Sequence, residues 1–165
     1  MSAASATALR LVRRLAACRR TLATAESCTG GLIAKRITDI PGSSAVFPGG
    51  CVTYTNPVKE DLLGVEPGII ARDTEVSAAC AEAMARGVRL RLHSDVGIST
   101  TGYAGPGGGT ERDPVGTVYI GVSTARHTFC ERFCAPAGST RAQVRNAAAS
   151  RAIELALELL SEETE

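Results

Sequence analysis

A serine followed closely by two glycines stands near the start of the chain, in TAESCTGGLIAK (residues 24–35). The stretch reads as a strand end, a tight turn carrying Ser27, and a helix. Gly30 and Gly31 have no Cβ, so their backbone N–H groups can come close to an oxyanion or a phosphate. A hydroxyl just ahead of such a turn stands where a nucleophile would, beside donors for developing negative charge. The plainer reading is a helix start, with Ser27 or Thr29 as N-cap and the glycines easing packing. Two further segments bear on the choice. YTNPVK puts Tyr54 at a strand end and Lys59 in the first turn of a short helix. GYAGPGGG has five glycines between Gly102 and Gly109, around Ala104 and Gly105. That is more than a connection needs, and such a loop can present backbone donors to a carbonyl or phosphate.

The elements that must position these residues follow from the rest of the chain. A length of 165 residues suits one domain with one substantial core. A net charge of +1, no long basic run and no Trp argue against nucleic acid as a partner. Six cysteines are scattered with no C-x-x-C pair, and neither His93 nor His127 completes a ligand set, so no metal is expected. Cysteines so placed read as small buried hydrophobes in a reducing compartment. The arginine-bearing N-terminus resembles a targeting peptide superficially. Its Leu9, Leu11, Val12, Leu15 and Ala16 recur instead at the spacing of an amphipathic helix. No stretch is long enough to span a membrane, and a cytoplasmic location is expected.

In chain order, a helix is expected over 4–19, a strand over 21–25 and a helix over 30–38, stopped by Pro41-Gly42. A strand over 44–55 is interrupted at Pro48-Gly49-Gly50, and a short helix ends at Gly64. A loop through Pro67-Gly68 leads to a helix capped by Thr74 or Ser77 and running to about Leu92. A buried strand over 95–101, a glycine loop over 102–114, two antiparallel strands over 115–124 and 127–134, and a final helix over 140–160 complete the chain. The SEETE tail reads as frayed. Strands alternating with helices, then a late strand pair, imply a single-domain three-layer α/β/α sandwich around a mixed sheet.

Taken together, AESCTGG, GSS at 42–44, GCVTYTNPVK, GYAGPGGG, PVGTVYIGV and a terminal R-x-x-x-R helix resemble the nicotinamide-nucleotide amidase family. This is the family of the competence-damage-inducible protein A (CinA) C-terminal domain, and the likeness runs in order from about Leu9 to Leu160. The resemblance implies hydrolysis of the carboxamide of nicotinamide mononucleotide to nicotinate mononucleotide and ammonia, with no metal or other cofactor. By position, Ser27 is the nucleophile and Lys59 and Tyr54 are the groups that activate it. A lysine can serve as base if burial lowers its pKa, and Tyr54 can relay a proton or orient Lys59; the sequence leaves open which of the two is the base. Backbone N–H groups at Thr29, Gly30 and Gly31, helped by the Gly102 loop with Ala104 and Gly105, would form the oxyanion hole. Arg141 and Arg145 are candidates for the 5′-phosphate, against a reading as a solvated helix face. Cys28 is expected to point away from Ser27.

The family usually carries Gly-Asp-Arg ahead of the last helix. Here the chain reads Gly138-Ser139-Thr140-Arg141, which puts the phosphate and ribose contacts in question. Many members also bear an N-terminal pyrophosphatase domain, and no such activity is expected of these residues. The resemblance implies a homodimer. Two other readings are a non-catalytic nucleotide- or partner-binding domain of the same fold and an amidase for another small carboxamide.

Overall fold

The computed structural model describes residues 2–162. Helix α1 (Ala3–Ala17) starts where the Ser2 hydroxyl accepts from the Ser5 N–H, and it buries Ala8, Leu11, Val12 and Leu15. Ala8 joins the expected apolar stripe, Leu9 packs at its edge, and Ala16 is exposed. Strand β1 (Leu22–Glu26) is buried along its whole length. It lies between β2 (Gly49–Val52) and β3 (Val96–Gly102), parallel to both. Strands β4 (Thr117–Ser123) and β5 (Thr128–Cys134) then run antiparallel, giving a five-stranded mixed sheet in the order β2-β1-β3-β4-β5.

Two helical layers enclose the sheet. Leu22, Val96, Ile98, Val118, Ile120 and Val122 point to one face, covered by α1, α2 (Leu32–Thr38) and α6 (Arg141–Glu162). Ala23 and Ala25 point to the other, covered by α3 (Asn56–Leu63), α4 (Pro67–Asp73) and α5 (Ala78–Arg91). Helix α5 lies so close that a Cβ on Gly97 would collide with the Ala85 carbonyl, and one on Gly121 with the Ala81 carbonyl. The expected three-layer sandwich is the observed fold.

Two elements differ from expectation. The strand expected over 44–55 is only four residues long, preceded by a 3-10 turn at Ser43–Ala45, and it begins at the glycine pair. Gly50 lies opposite Thr24, and a Cβ there would strike the Thr24 hydroxyl, so the glycines admit the strand. The stretch read as a loop through Pro67-Gly68 is helix α4, which Pro67 opens from the first turn, where its missing N–H costs nothing. Ile69 and Ile70 pack it on the core. Of the SEETE tail, Ser161 and Glu162 belong to α6, and the rest lies outside the described residues.

Candidate active site

Because β1, β2 and β3 are parallel, their carboxyl ends open on one side, where α/β sheets place ligands. Ser27 follows β1, Tyr54 follows β2 and Tyr103 follows β3.

The Ser27 turn is built on Glu26, which is 1% exposed. Its carboxylate accepts from the Thr29 hydroxyl (2.6 Å) and from the N–H groups of Gly31 (3.0 Å), Ile33 (3.1 Å) and Ala34 (2.8 Å). It therefore fills the role a capping hydroxyl was expected to play for α2, and neither Ser27 nor Thr29 is that cap. The helix starts at Leu32 behind Gly31, whose φ of 91° suits glycine. The Ser27 N–H donates to the Thr100 carbonyl at 2.9 Å, tying the turn to β3. Arg145 Nη2 donates to the Thr29 carbonyl at 3.0 Å, tying it to α6.

This network corrects three expectations. The Gly31 N–H is held by Glu26 and the Gly30 N–H by the Ser27 carbonyl (3.0 Å), so neither is free for an oxyanion. Thr29 is fully buried with its hydroxyl on Glu26, which leaves the role expected of its backbone N–H untouched. Arg145 is committed to the turn rather than to the cavity. Glu26 itself was missed, although a lone carboxylate closing an apolar strand was a visible signal.

Lys59 comes from α3 and is 1% exposed. Its Nζ donates to the Thr53 carbonyl at 2.9 Å and lies 3.3 Å from Ser27 Oγ. Burial holds its pKa below the ordinary lysine value, against the nearby charge of Glu75. Tyr54 is 56% exposed, and its hydroxyl accepts from Arg141 Nη2 at 2.7 Å. Arg141 Nη1 donates to the Gly105 carbonyl at 2.8 Å. Tyr54 therefore bonds to Arg141, not to Lys59 or Ser27.

Ser27, Lys59, Tyr54, Ala104, Gly102 and Arg141 line one cavity of about 220 Å³. Asn56, Glu75 and Tyr103 line it as well and were not expected there. Tyr103 lay within the glycine motif and could have been found, whereas Glu75 arrives through the α4–α5 connection and only the fold reveals it. Gly102 is fixed by packing, since a Cβ would strike the Thr117 carbonyl. The segment that departs from Gly-Asp-Arg starts α6 with a reciprocal cap. The Thr140 N–H donates to Gln143 Oε1 (2.8 Å) and the Gln143 N–H to the Thr140 hydroxyl (3.3 Å), which sets Arg141 at the first helical position.

Cys28 is buried and its thiol is pushed up to about 12 by desolvation, which keeps it protonated beside Ser27. All six cysteines are free; Cys28 and Cys80 are buried and Cys134 is exposed. Among the described residues, no group of three or more His, Cys, Asp or Glu could hold a metal ion, and no helix is long and apolar enough to cross a membrane.

A mixed α/β/α sandwich with a serine and a buried lysine paired at the carboxyl ends of its parallel strands defines a class of protein. The family model for the CinA C-terminal domain matches residues 4–160, and the chain belongs to that family. A CinA-like protein of Myxococcus xanthus is 51% identical over 152 residues, covering 92% of this chain and 35% of the relative. A putative competence-damage inducible protein of Moorella thermoacetica is 59% identical over 108 residues, covering 66% of this chain and 26% of the relative. The chain thus spans about a quarter to a third of the length of these curated relatives. Among solved structures, the competence/damage inducible protein CihA from Agrobacterium tumefaciens superposes with a TM-score of 0.92 at 35% identity, covering 98% of this chain and 97% of that one. A CinA-superfamily protein from Klebsiella pneumoniae gives 0.92 at 29% identity, covering 98% and 99%.

Proposed function

We propose that this domain hydrolyses the carboxamide of nicotinamide mononucleotide, releasing ammonia and nicotinate mononucleotide in pyridine-nucleotide salvage. The observation that carries the reading is the buried Lys59 amine 3.3 Å from Ser27 Oγ. An uncharged Lys59 takes the Ser27 proton as Oγ attacks the carboxamide carbon. The tetrahedral intermediate then collapses, and the C–N bond breaks as the Lys59 ammonium protonates the leaving nitrogen, which departs as ammonia. Water, deprotonated by Lys59 in turn, attacks the resulting ester, and Lys59 returns the proton to Ser27 Oγ as the C–O bond breaks.

Lys59 is the base in this scheme, and Tyr54 is a wall residue that holds Arg141. The oxyanion is assigned to the N–H groups of Cys28 and Ala104. Both residues line the cavity, and no backbone hydrogen bond engages the Ala104 N–H among the described residues. Arg141 alone is assigned to the 5′-phosphate, its planar fork suiting phosphate oxygens. We further propose that the domain works in the cytoplasm as a homodimer, which light scattering would check.

The test is ammonia release from nicotinamide mononucleotide by purified protein, with Ser27→Ala and a chelator-treated sample alongside. Ser27→Ala is expected to lose at least ~10³-fold in kcat while staying folded. Near-normal turnover in that variant would remove the covalent mechanism. An inactive folded wild type would favour a binding domain or another amide.

A further inference from the structure

Glu75 lines the cavity that holds Ser27 and Lys59, half-buried, and no hydrogen bond or ion pair among the described residues holds its carboxylate. Its backbone, by contrast, is firmly held. The Thr101 hydroxyl at the end of β3 donates to the Glu75 carbonyl at 2.6 Å. Thr74, one residue earlier, has a φ of 69°, a left-handed conformation that a β-branched residue rarely adopts. The Thr74 hydroxyl accepts from the Val76 N–H at 3.3 Å and donates to the Val76 carbonyl at 3.2 Å, closing a tight loop around Glu75. Strain of this kind persists where surrounding contacts over-determine it, and it gathers at ligand sites.

The charge of Glu75 works against the chemistry proposed for Lys59. It raises the Lys59 pKa while burial lowers it, and it also raises the Tyr103 hydroxyl. An unpaired carboxylate that favours the unproductive form of the base is compensated by a cationic group bound in this cavity. Arg141 supplies the opposite charge in the same wall. The cavity is therefore dipolar, with Glu75 and the half-buried Tyr103 ring offering a cation-accepting region and Arg141 an anion-accepting one.

We propose that Glu75 is a specificity-determining residue that reads positive charge on the ring of the substrate. The site then takes zwitterionic N-alkylated pyridinium carboxamides that carry a phosphate, and it rejects uncharged aryl carboxamides of the same shape. This rests on the amidase reading above, and it adds which feature of the ring is recognised.

The experiment measures binding, by calorimetry on Ser27→Ala protein, of nicotinamide mononucleotide and of benzamide riboside 5′-monophosphate, whose ring is neutral. The cationic ligand is expected to bind roughly tenfold tighter, the scale of one charged contact at a half-buried site. In Ser27→Ala/Glu75→Gln its affinity is expected to fall to that of the isostere, with the isostere unchanged. Inhibition of the unaltered protein by the isostere provides the same comparison without any variant. Equal affinities for the two ligands, or an equal loss of both on Glu75→Gln, would overturn the role of Glu75 and leave the amidase reading standing. Folded protein that binds neither nucleotide would overturn both.

Discussion

Lys59 can take a proton from Ser27 only while its own Nζ is uncharged. Burial lowers its pKa, so the neutral fraction grows at a lower pH than for a lysine in water. The kcat/KM for amide hydrolysis is therefore expected to rise with pH and level off below the ordinary lysine value of 10.5. Lys59→Met should cost roughly 10²–10⁴-fold in kcat and abolish this limb of the profile. A full pH–rate series on both proteins checks it, and a limb that persists in the variant would exclude Lys59 as the titrating base. Of the residues expected at the site, Ser27, Lys59, Tyr54 and Arg141 meet in one cavity. The motifs alone single out Ser27, Tyr54 and Lys59, and the family resemblance adds Arg141. Their pairings were not legible, because Tyr54 bonds to Arg141 across a separation of 87 positions, a contact that only the packed α6 creates. The glycine donors failed for a similar reason. The Glu26 carboxylate takes the Gly31 N–H and the Ser27 carbonyl the Gly30 N–H, groups that a turn-and-helix pattern would leave open.

At the scale of elements, α5 fixes how the sheet presents its strand ends. Its Ala81 and Ala85 carbonyls rest against Gly121 and Gly97, and the Ser99 hydroxyl donates to the Ala81 carbonyl at 2.5 Å. Gly121→Ala would push helix and sheet apart and is expected to destabilise the fold by about 1–3 kcal/mol, the usual cost of overpacking a filled core. Urea unfolding monitored by circular dichroism measures it. An unchanged midpoint would mean that α5 yields without cost. The helices and strands were legible wherever an apolar period ran for several turns or pairs, as in α1, α5, β3, β4 and α6. They were not legible at α4, where a proline-glycine pair that commonly marks a turn starts a helix instead. The β2 edge was overread as well, since its β-branched run continues beyond the four residues that pair with β1.

For the molecule as a whole, a buried lysine whose charged form is disfavoured carries a cost. The folded-state pKa of Lys59 is lowered, so between that value and the unfolded one the unfolded chain binds more protons. Stability is accordingly lowest below the folded pKa and rises with pH through that window. Lys59→Met removes the group, so the variant is expected to be more stable than wild type near neutrality, on the order of 1 kcal/mol. That gap should narrow as pH approaches 10.5. Urea midpoints across pH read both trends, and a gap independent of pH would assign the gain to packing alone.

The two arginines of α6 also bear on when the site comes into being. Arg145 reaches back 116 positions to the Thr29 carbonyl, and Arg141 reaches 36 positions to the Gly105 carbonyl. During synthesis Ser27 and Lys59 emerge long before either. The Ser27 turn and the Gly105 loop therefore gain these two fastenings only once α6 has been made and packed, so the wall of the cavity is completed late in the domain's assembly.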